Sequence, residues 1–150
     1  MISHLNKKNK PTIVDISSKK ITNRMAIAQG IVEFSKSTYK KIESLKTKKG
    51  EIKSIAIIAG ILGAKRTSDV IPLCHNIKIE NINIDIQAIK KISSLKVTSS
   101  VKSRGKTGVE MEALNGVSIA CLTIYDMCKS IDKNILIKDA SYRTYWASLY

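Results

Sequence analysis

Few residues in this 150-residue chain combine a reactive side chain with a setting that could use it. One of its two histidines, His4, stands in a polar lysine-rich stretch; the other, His75, closes the run Ile71-Pro72-Leu73-Cys74-His75 between a helical and a strand pattern. A loop histidine serves structure as readily as catalysis, so its partners decide its role. Glu110-Met111-Glu112 opens a long apolar helical run. Residues two apart on a helix point about 200° from one another, so the two carboxylates cannot share a face. Thr107 and Glu110 have the T-x-x-E spacing of a capping box, which gives Glu110 a structural task. Glu112 is left at the mouth of an apolar helix, where an unpaired charge is costly, and a partner from protein or ligand is expected.

Asp126 and Lys129, at i and i+3, face one way near the far end of the same helix. As an exposed pair they would contribute a few tenths of a kcal/mol and carry no function. Buried beside neighbouring charge, such a lysine can be tuned into a proton donor or acceptor. Gly105-Lys106-Thr107 resembles the end of a phosphate loop, but that motif needs glycine where Ser100 stands, so the match is partial. A bare helix N-terminus can still hold an anion through its free N–H groups.

The elements that must position these groups can be read from periodicity. Ala26, Ala28, Gly30, Val32 and Phe34 alternate with Met25, Ile27, Gln29, Ile31 and Glu33, which predicts a strand over 24–34. Residues 37–48 read as a lysine-faced helix with Ile42 and Leu45 inward, and Gly50 breaks it. Residues 51–66 form a second helix, with Ile52, Ile55, Ala59 and Leu62 at helical spacing and Gly60 and Gly63 permitting close approach of a neighbour. Ile77 to Ile86 and Leu95 to Val101 alternate as two strands of a hairpin, with a phase slip near Asn81 that suggests a bulge. A helix over 109–129 and a final strand over 135–137 complete the order. Strand, helices, two strands, helix, strand is the order of an α+β, ferredoxin-like sandwich with an antiparallel sheet packed by helices. Residues 1–10 read as a flexible basic tail, and 11–150 as one domain.

Composition narrows the function. The chain is 43% hydrophobic and 25% charged, as a globular protein is, and no apolar run approaches the ~20 residues that span a bilayer. No apolar leader precedes residue 11. Cys74, Cys121 and Cys128 are odd in number, which reads as reduced thiols in a cytoplasmic setting; Cys121 and Cys128, two turns apart, read as small buried residues on one helix face. The net charge is +14, yet 22 of the 26 basic residues are Lys, and Phe34 is the single Phe. Nucleic-acid readers favour Arg and stacking aromatics, so compositional drift with a local anion site is preferred over a nucleic-acid-binding module.

In order along the chain, several segments resemble the signature blocks of the cyclic pyranopterin monophosphate synthase family of molybdenum cofactor biosynthesis. They include Lys49-Gly50-Glu51, Ala64-Lys65-Arg66-Thr67, Ile71 to His75, Lys106 to Leu114 and Leu122 to Lys129, with Val14 to Ser17 and Thr22-Asn23-Arg24 nearer the N-terminus. The resemblance covers about residues 12–137. It implies a lyase that converts a cyclic dihydro-GTP intermediate to a pyranopterin bearing a cyclic phosphate, with loss of pyrophosphate. By carry-over, Lys49 and Lys129 are the general acid/base pair and Asp126 orients and charges Lys129. His75, Glu110, Met111 and Glu112 line the pterin end, where a guanine-like edge offers donors to the carboxylates, and Leu73 and Cys74 also bind substrate. Arg24, Lys65 and Arg66 take the triphosphate. The resemblance implies a homohexamer, a trimer of dimers with the site at the dimer interface. It implies no organic cofactor, allows Mg2+, and assigns no metal ligand, membrane or nucleic-acid partner. Asn76 stands where the family has Pro, and Gly116 interrupts the long helix. Where the family continues into a Gly-Gly-Lys-Ser-Gly segment, this chain reads Ser141 to Tyr150, with Arg143 the nearest substitute for its phosphate-binding lysines. A catalytically impaired homologue that keeps fold and assembly is therefore the alternative reading.

Overall fold

A computed structural model describes residues 4–6, 8–42, 46–47 and 50–144 of the chain. The alternating segment forms β1 (Thr22–Glu33), with Ala26, Ala28, Gly30 and Val32 buried on one face. Ser35 caps the short α1 (Lys36–Lys41), its Oγ accepting from the Thr38 amide at 3.2 Å. The helix expected to reach Lys48 stops at Ile42, whose amide donates to Thr38 and Lys40 carbonyls. Lys46 and Thr47 belong instead to β2, paired with β3 (Gly50–Glu51); Leu45 lies outside the described residues. Two basic residues in the last turn of α1 suit the helix C-terminus, but the segment has little apolar face to extend it.

Next come α2 (Ile52–Lys65), a single turn α3 (Thr67–Val70), β4 (Ile79–Ile89), a 3-10 turn at Lys90–Ile92, and β5 (Ser94–Gly105). Glu51 caps α2 by accepting from the Ser54 amide at 2.9 Å. The β4–β5 hairpin carries the expected irregularity, between Ile79 and Asn81. The chain then forms α4 (Glu110–Cys128) and β6 (Leu136–Thr144). The sheet order is β4-β5-β1-β6, every neighbouring pair antiparallel, as a ferredoxin-like fold requires.

The last strand is longer than expected, pairing Lys138 with Ile31 and Thr144 with Ala26. An edge strand is held by backbone hydrogen bonds along one side, so its sequence need not show the alternation that a central strand must.

Burial of α2 differs from the expected spacing. Its buried stripe is Ile52, Ala56, Gly60 and Ala64, while Ile55 and Leu62 are exposed. The stripe of small residues is what faces α4, because it lets the two backbones meet. A methyl group on Gly60 would stand 2.9 Å from the Gly116 carbonyl oxygen and 3.1 Å from the Ala120 methyl. Gly116, costly within an isolated helix, keeps this crossing tight: a methyl there would stand 3.0 Å from Ser99 Oγ and 3.3 Å from the Gly60 carbonyl oxygen. On its other side α4 presses on β1, where a methyl on Gly30 would lie 2.8 Å from Val117 Cγ1. Cys121 and Cys128 are buried on this helix as expected, neither in a disulfide.

We predict that Gly60→Ala destabilises the protein by about 1–2 kcal/mol, because overpacking against a backbone carbonyl outweighs the ~1 kcal/mol gained in helix propensity. Urea unfolding measures it; a stabilised variant would show that the crossing has room to spare.

Candidate active site

The loop after α3 and the N-terminus of α4 enclose a cavity of about 690 Å³, in the range that takes small organic ligands. One wall is Ile71, Pro72, Leu73, Cys74, His75 and Ile77; the other is Thr107, Gly108, Glu110, Met111 and Glu112. The Cys74 amide donates to the Ile71 carbonyl at 3.1 Å, which turns the loop and presents His75. His75 Nε2 lies 2.7 Å from the Val14 carbonyl oxygen. A carbonyl can only accept, so this ring nitrogen carries the proton. That bond ties the N-terminal segment to the site.

His4 and Pro11 also line the cavity. The described residues of the segment read as a tail, 4–6 and 8–10, are closed into a turn: the Asn6 side chain accepts from the Lys8 and Lys10 amides, and the Thr12 amide donates to the His4 carbonyl at 2.9 Å. Their polar composition hid this. The signal available was Asn6 itself, which forms such turns through its side chain.

The α4 N-terminus also departs from the capping box. Val109 is the N-cap, no side chain caps the helix, and Glu110 is its first residue. The Glu110 carboxylate instead folds against Gly108, occupying the space that a side chain there would need. Glu112 is 3% exposed, and its Oε2 has no hydrogen-bond partner. Burial, with Glu110 adding to it, raises its pKa above the usual carboxylate range. Burial and then the Glu112 charge raise the pKa of Cys74, which favours its neutral thiol. Met111, 39% exposed, offers an apolar surface at the mouth. The arrangement suits a flat ring with N–H groups along one edge.

The structure thus gathers Leu73, Cys74, His75, Glu110, Met111 and Glu112 around one cavity. Asp126 and Lys129 lie at the other end of α4. They form an ion pair at 2.7 Å with both side chains about half exposed, and the Asp126 hydrogen bond raises the Lys129 pKa. Sixteen residues of helix, about 24 Å, separate Glu110 from Asp126. Lys49 lies outside the described residues. Lys65 and Arg66, both exposed, end α2, and Arg66 lines a separate cavity of about 290 Å³ with Asn115 and Ile119. Arg24 is half-buried on β1 opposite Ser103, outside the lining of the large cavity.

Comparison with known proteins joins this geometry to a class. The sequence model of the MoaC family matches residues 13–144. A Campylobacter jejuni subsp. doylei protein named cyclic pyranopterin monophosphate synthase is 49% identical over 138 residues, 92% of this chain and 88% of its own length. Proteins of the same name from Helicobacter hepaticus (48% identity, 95% of this chain, 90% of the relative) and Helicobacter pylori (49%, 91% and 87%) are similarly close. The chain belongs to the MoaC family, enzymes of molybdenum cofactor biosynthesis.

A raised carboxyl pKa in the folded state has a defined sign. The folded protein holds the Glu112 proton more tightly than the unfolded chain, so this group's contribution to stability falls as pH rises from the usual carboxylate range, through the raised value. Glu112→Gln is therefore predicted to gain stability relative to the parent as pH increases from about 4 to about 8. Urea midpoints of both proteins across that range test it; a constant difference would mean that Glu112 ionises freely.

Proposed function

We propose that this chain is a cyclic pyranopterin monophosphate synthase, a lyase that rearranges a cyclic dihydro-GTP intermediate and releases pyrophosphate. The observation that carries the reading is Glu112, a buried carboxylate with an unpartnered oxygen in a largely apolar cavity. A guanine-like edge presents adjacent N–H donors, which would satisfy that oxygen and recover the cost of burying it. Met111 offers the ring a face, and His75, held in one tautomer by Val14, offers Nδ1 as an acceptor or, when protonated, a second donor.

Proton transfer falls to Lys49 and Lys129. Asp126 keeps Lys129 protonated, which suits it to begin as the acid. The cavity and the Asp126–Lys129 pair are too far apart along one helix to meet on one substrate. We therefore place the complete site between two copies, within a homohexamer built as a trimer of dimers. Exposed Ile55, Ile58, Leu62 and Leu122 on the helices support an assembled form. Arg24, Lys65 and Arg66 are proposed to meet the triphosphate in that setting.

Among the described residues no three His, Cys, Asp or Glu side chains are grouped to hold a metal ion. In this reading Mg2+ travels with the phosphates, and no organic cofactor or nucleic acid is used. No described helix is long and apolar enough to cross a membrane, and Cys74, Cys121 and Cys128, none in a disulfide, favour a cytoplasmic setting.

The test is incubation with the cyclic dihydro-GTP intermediate and detection of the cyclic phosphate product; absence of turnover would reject the reading. Lys49→Ala and Lys129→Ala should each abolish turnover with folding and assembly intact. A shared site adds a sharper expectation. Inactive Glu112→Gln and Lys129→Ala chains, mixed as subunits, should regain about a quarter of the parent activity, since half the dimers are mixed and each holds one intact site. No recovery on mixing would place both residues in the same chain's site.

A further inference from the structure

Beside the large cavity lies a smaller one of about 230 Å³, with His75, Ile77 and Thr107 as walls common to both. Its remaining lining includes Lys78, Arg104 and Lys106, with Ile16 and Gly105, and no carboxylate. The large cavity has the reverse character, lined by Glu110 and Glu112 and by no lysine or arginine.

The fold sets this contrast through the sheet end. Ser103 pairs with Ile79 across the β4–β5 ladder, and its Oγ donates to the Lys78 carbonyl at 3.1 Å. That hydrogen bond holds the backbone of Lys78 beside the residue preceding Arg104. Lys106, in the turn after β5, donates through Nζ to the Ser17 carbonyl at 2.6 Å. A carbonyl neutralises none of its charge, and Lys106 also lines the cavity. Lys78, Arg104 and Lys106, from three backbone positions, thus line one cavity next to His75 that has no carboxylate in its lining; the acid that acts on them from outside it is Asp15, whose pKa Lys106 helps to lower.

Resting on the reading above, we propose that Lys78, Arg104 and Lys106 form a polyphosphate subsite that receives the leaving pyrophosphate portion of the substrate, while the ring occupies the carboxylate-lined cavity. His75, on the wall between them, stands where the two portions of one ligand would join. The division is electrostatic: carboxylates accept from ring N–H groups and would repel phosphate, whereas cations do the opposite. Arg104 contributes a planar fork suited to two phosphate oxygens, and the lysines contribute point charges. This places phosphate recognition within the same chain that holds the ring, additional to Arg24, Lys65 and Arg66.

Calorimetric titration of the intact protein with inorganic tripolyphosphate tests the subsite without requiring turnover. The double variant Lys78→Ala/Arg104→Ser should bind tripolyphosphate about tenfold or more weakly. Lys102→Ala, on an exposed β5 residue outside both cavities, should match the parent and controls for net charge. With the cyclic dihydro-GTP intermediate, the double variant should raise KM by a similar factor while kcat changes little. Tripolyphosphate binding that is absent in the parent, or weakened equally by Lys102→Ala, overturns the subsite. If the parent binds tripolyphosphate through these residues but does not turn over the intermediate, the subsite stands and the assigned reaction falls.

Discussion

The contact of α2 with α4 at Gly60 and Gly116 is the constraint on which the remaining geometry depends. With a methyl group at Gly60 blocked by the Gly116 carbonyl and one at Gly116 crowded by Ser99 and Gly60, the helices approach to backbone contact, and Asn115 Nδ2 donates to the Gly63 carbonyl at 2.7 Å beside it. Close approach fixes α4 along its length, since its opposite face is pressed into β1 at Gly30. A buried helix held on two sides behaves as a rod. Its N-terminal end presents Glu110, Met111 and Glu112 to the cavity, and its C-terminal end presents Asp126 and Lys129 to solvent. Neither end can adjust without repacking the middle. The same rigidity that orients the two sets of side chains keeps them apart in one chain.

Glu112 is the thermodynamic exception that this rod enforces. A buried carboxylate with one unpartnered oxygen opposes folding, and a single side chain of that kind is tolerated where a ligand supplies the missing donor. The surroundings of the cavity are arranged consistently. Cys74 favours its neutral thiol form beside it, the Glu110 carboxylate is turned back over Gly108, and His75 is fixed by a backbone carbonyl rather than by an acid. No second charge within the cavity answers Glu112, which leaves its oxygen available to a bound ring.

Much of this could be seen in the sequence, and the reasons for success and failure are physical. Central strands have two neighbours and one buried face, so Ala26 to Phe34 and Leu95 to Val101 show their alternation plainly. Even the bulge after Ile79 left a phase slip. The large apolar residues of α2 do not mark its contact face, because at a close crossing the small residues do. The capping spacing of Thr107 and Glu110 was real as a pattern, but local spacing cannot reveal that the helix starts three residues after Thr107. The blocks around His75 and Glu112 were legible as blocks; that they face one cavity is a tertiary fact. Lys78 and Arg104 were not legible, because each looks like any solvated strand-end cation until Ser103 ties β5 to the Lys78 backbone.

The net charge of +14 gains a different meaning once placed on the fold. Spread over a surface, excess lysine concentrates anions nearby and is screened over roughly 10 Å at ordinary ionic strength. Such a field attracts a polyphosphate but cannot align it. Alignment needs cations fixed relative to the groups that hold the rest of the ligand, and the segregation on either side of His75 provides this: acids on the α4 side, bases at the sheet end. A ligand with hydrogen-bond donors at one end and phosphates at the other is complementary in one direction only, because reversing it would set phosphate against Glu112 and ring N–H groups against Arg104. Orientation therefore follows from the separation of charge, and the bulk charge governs the encounter rate rather than the chemistry.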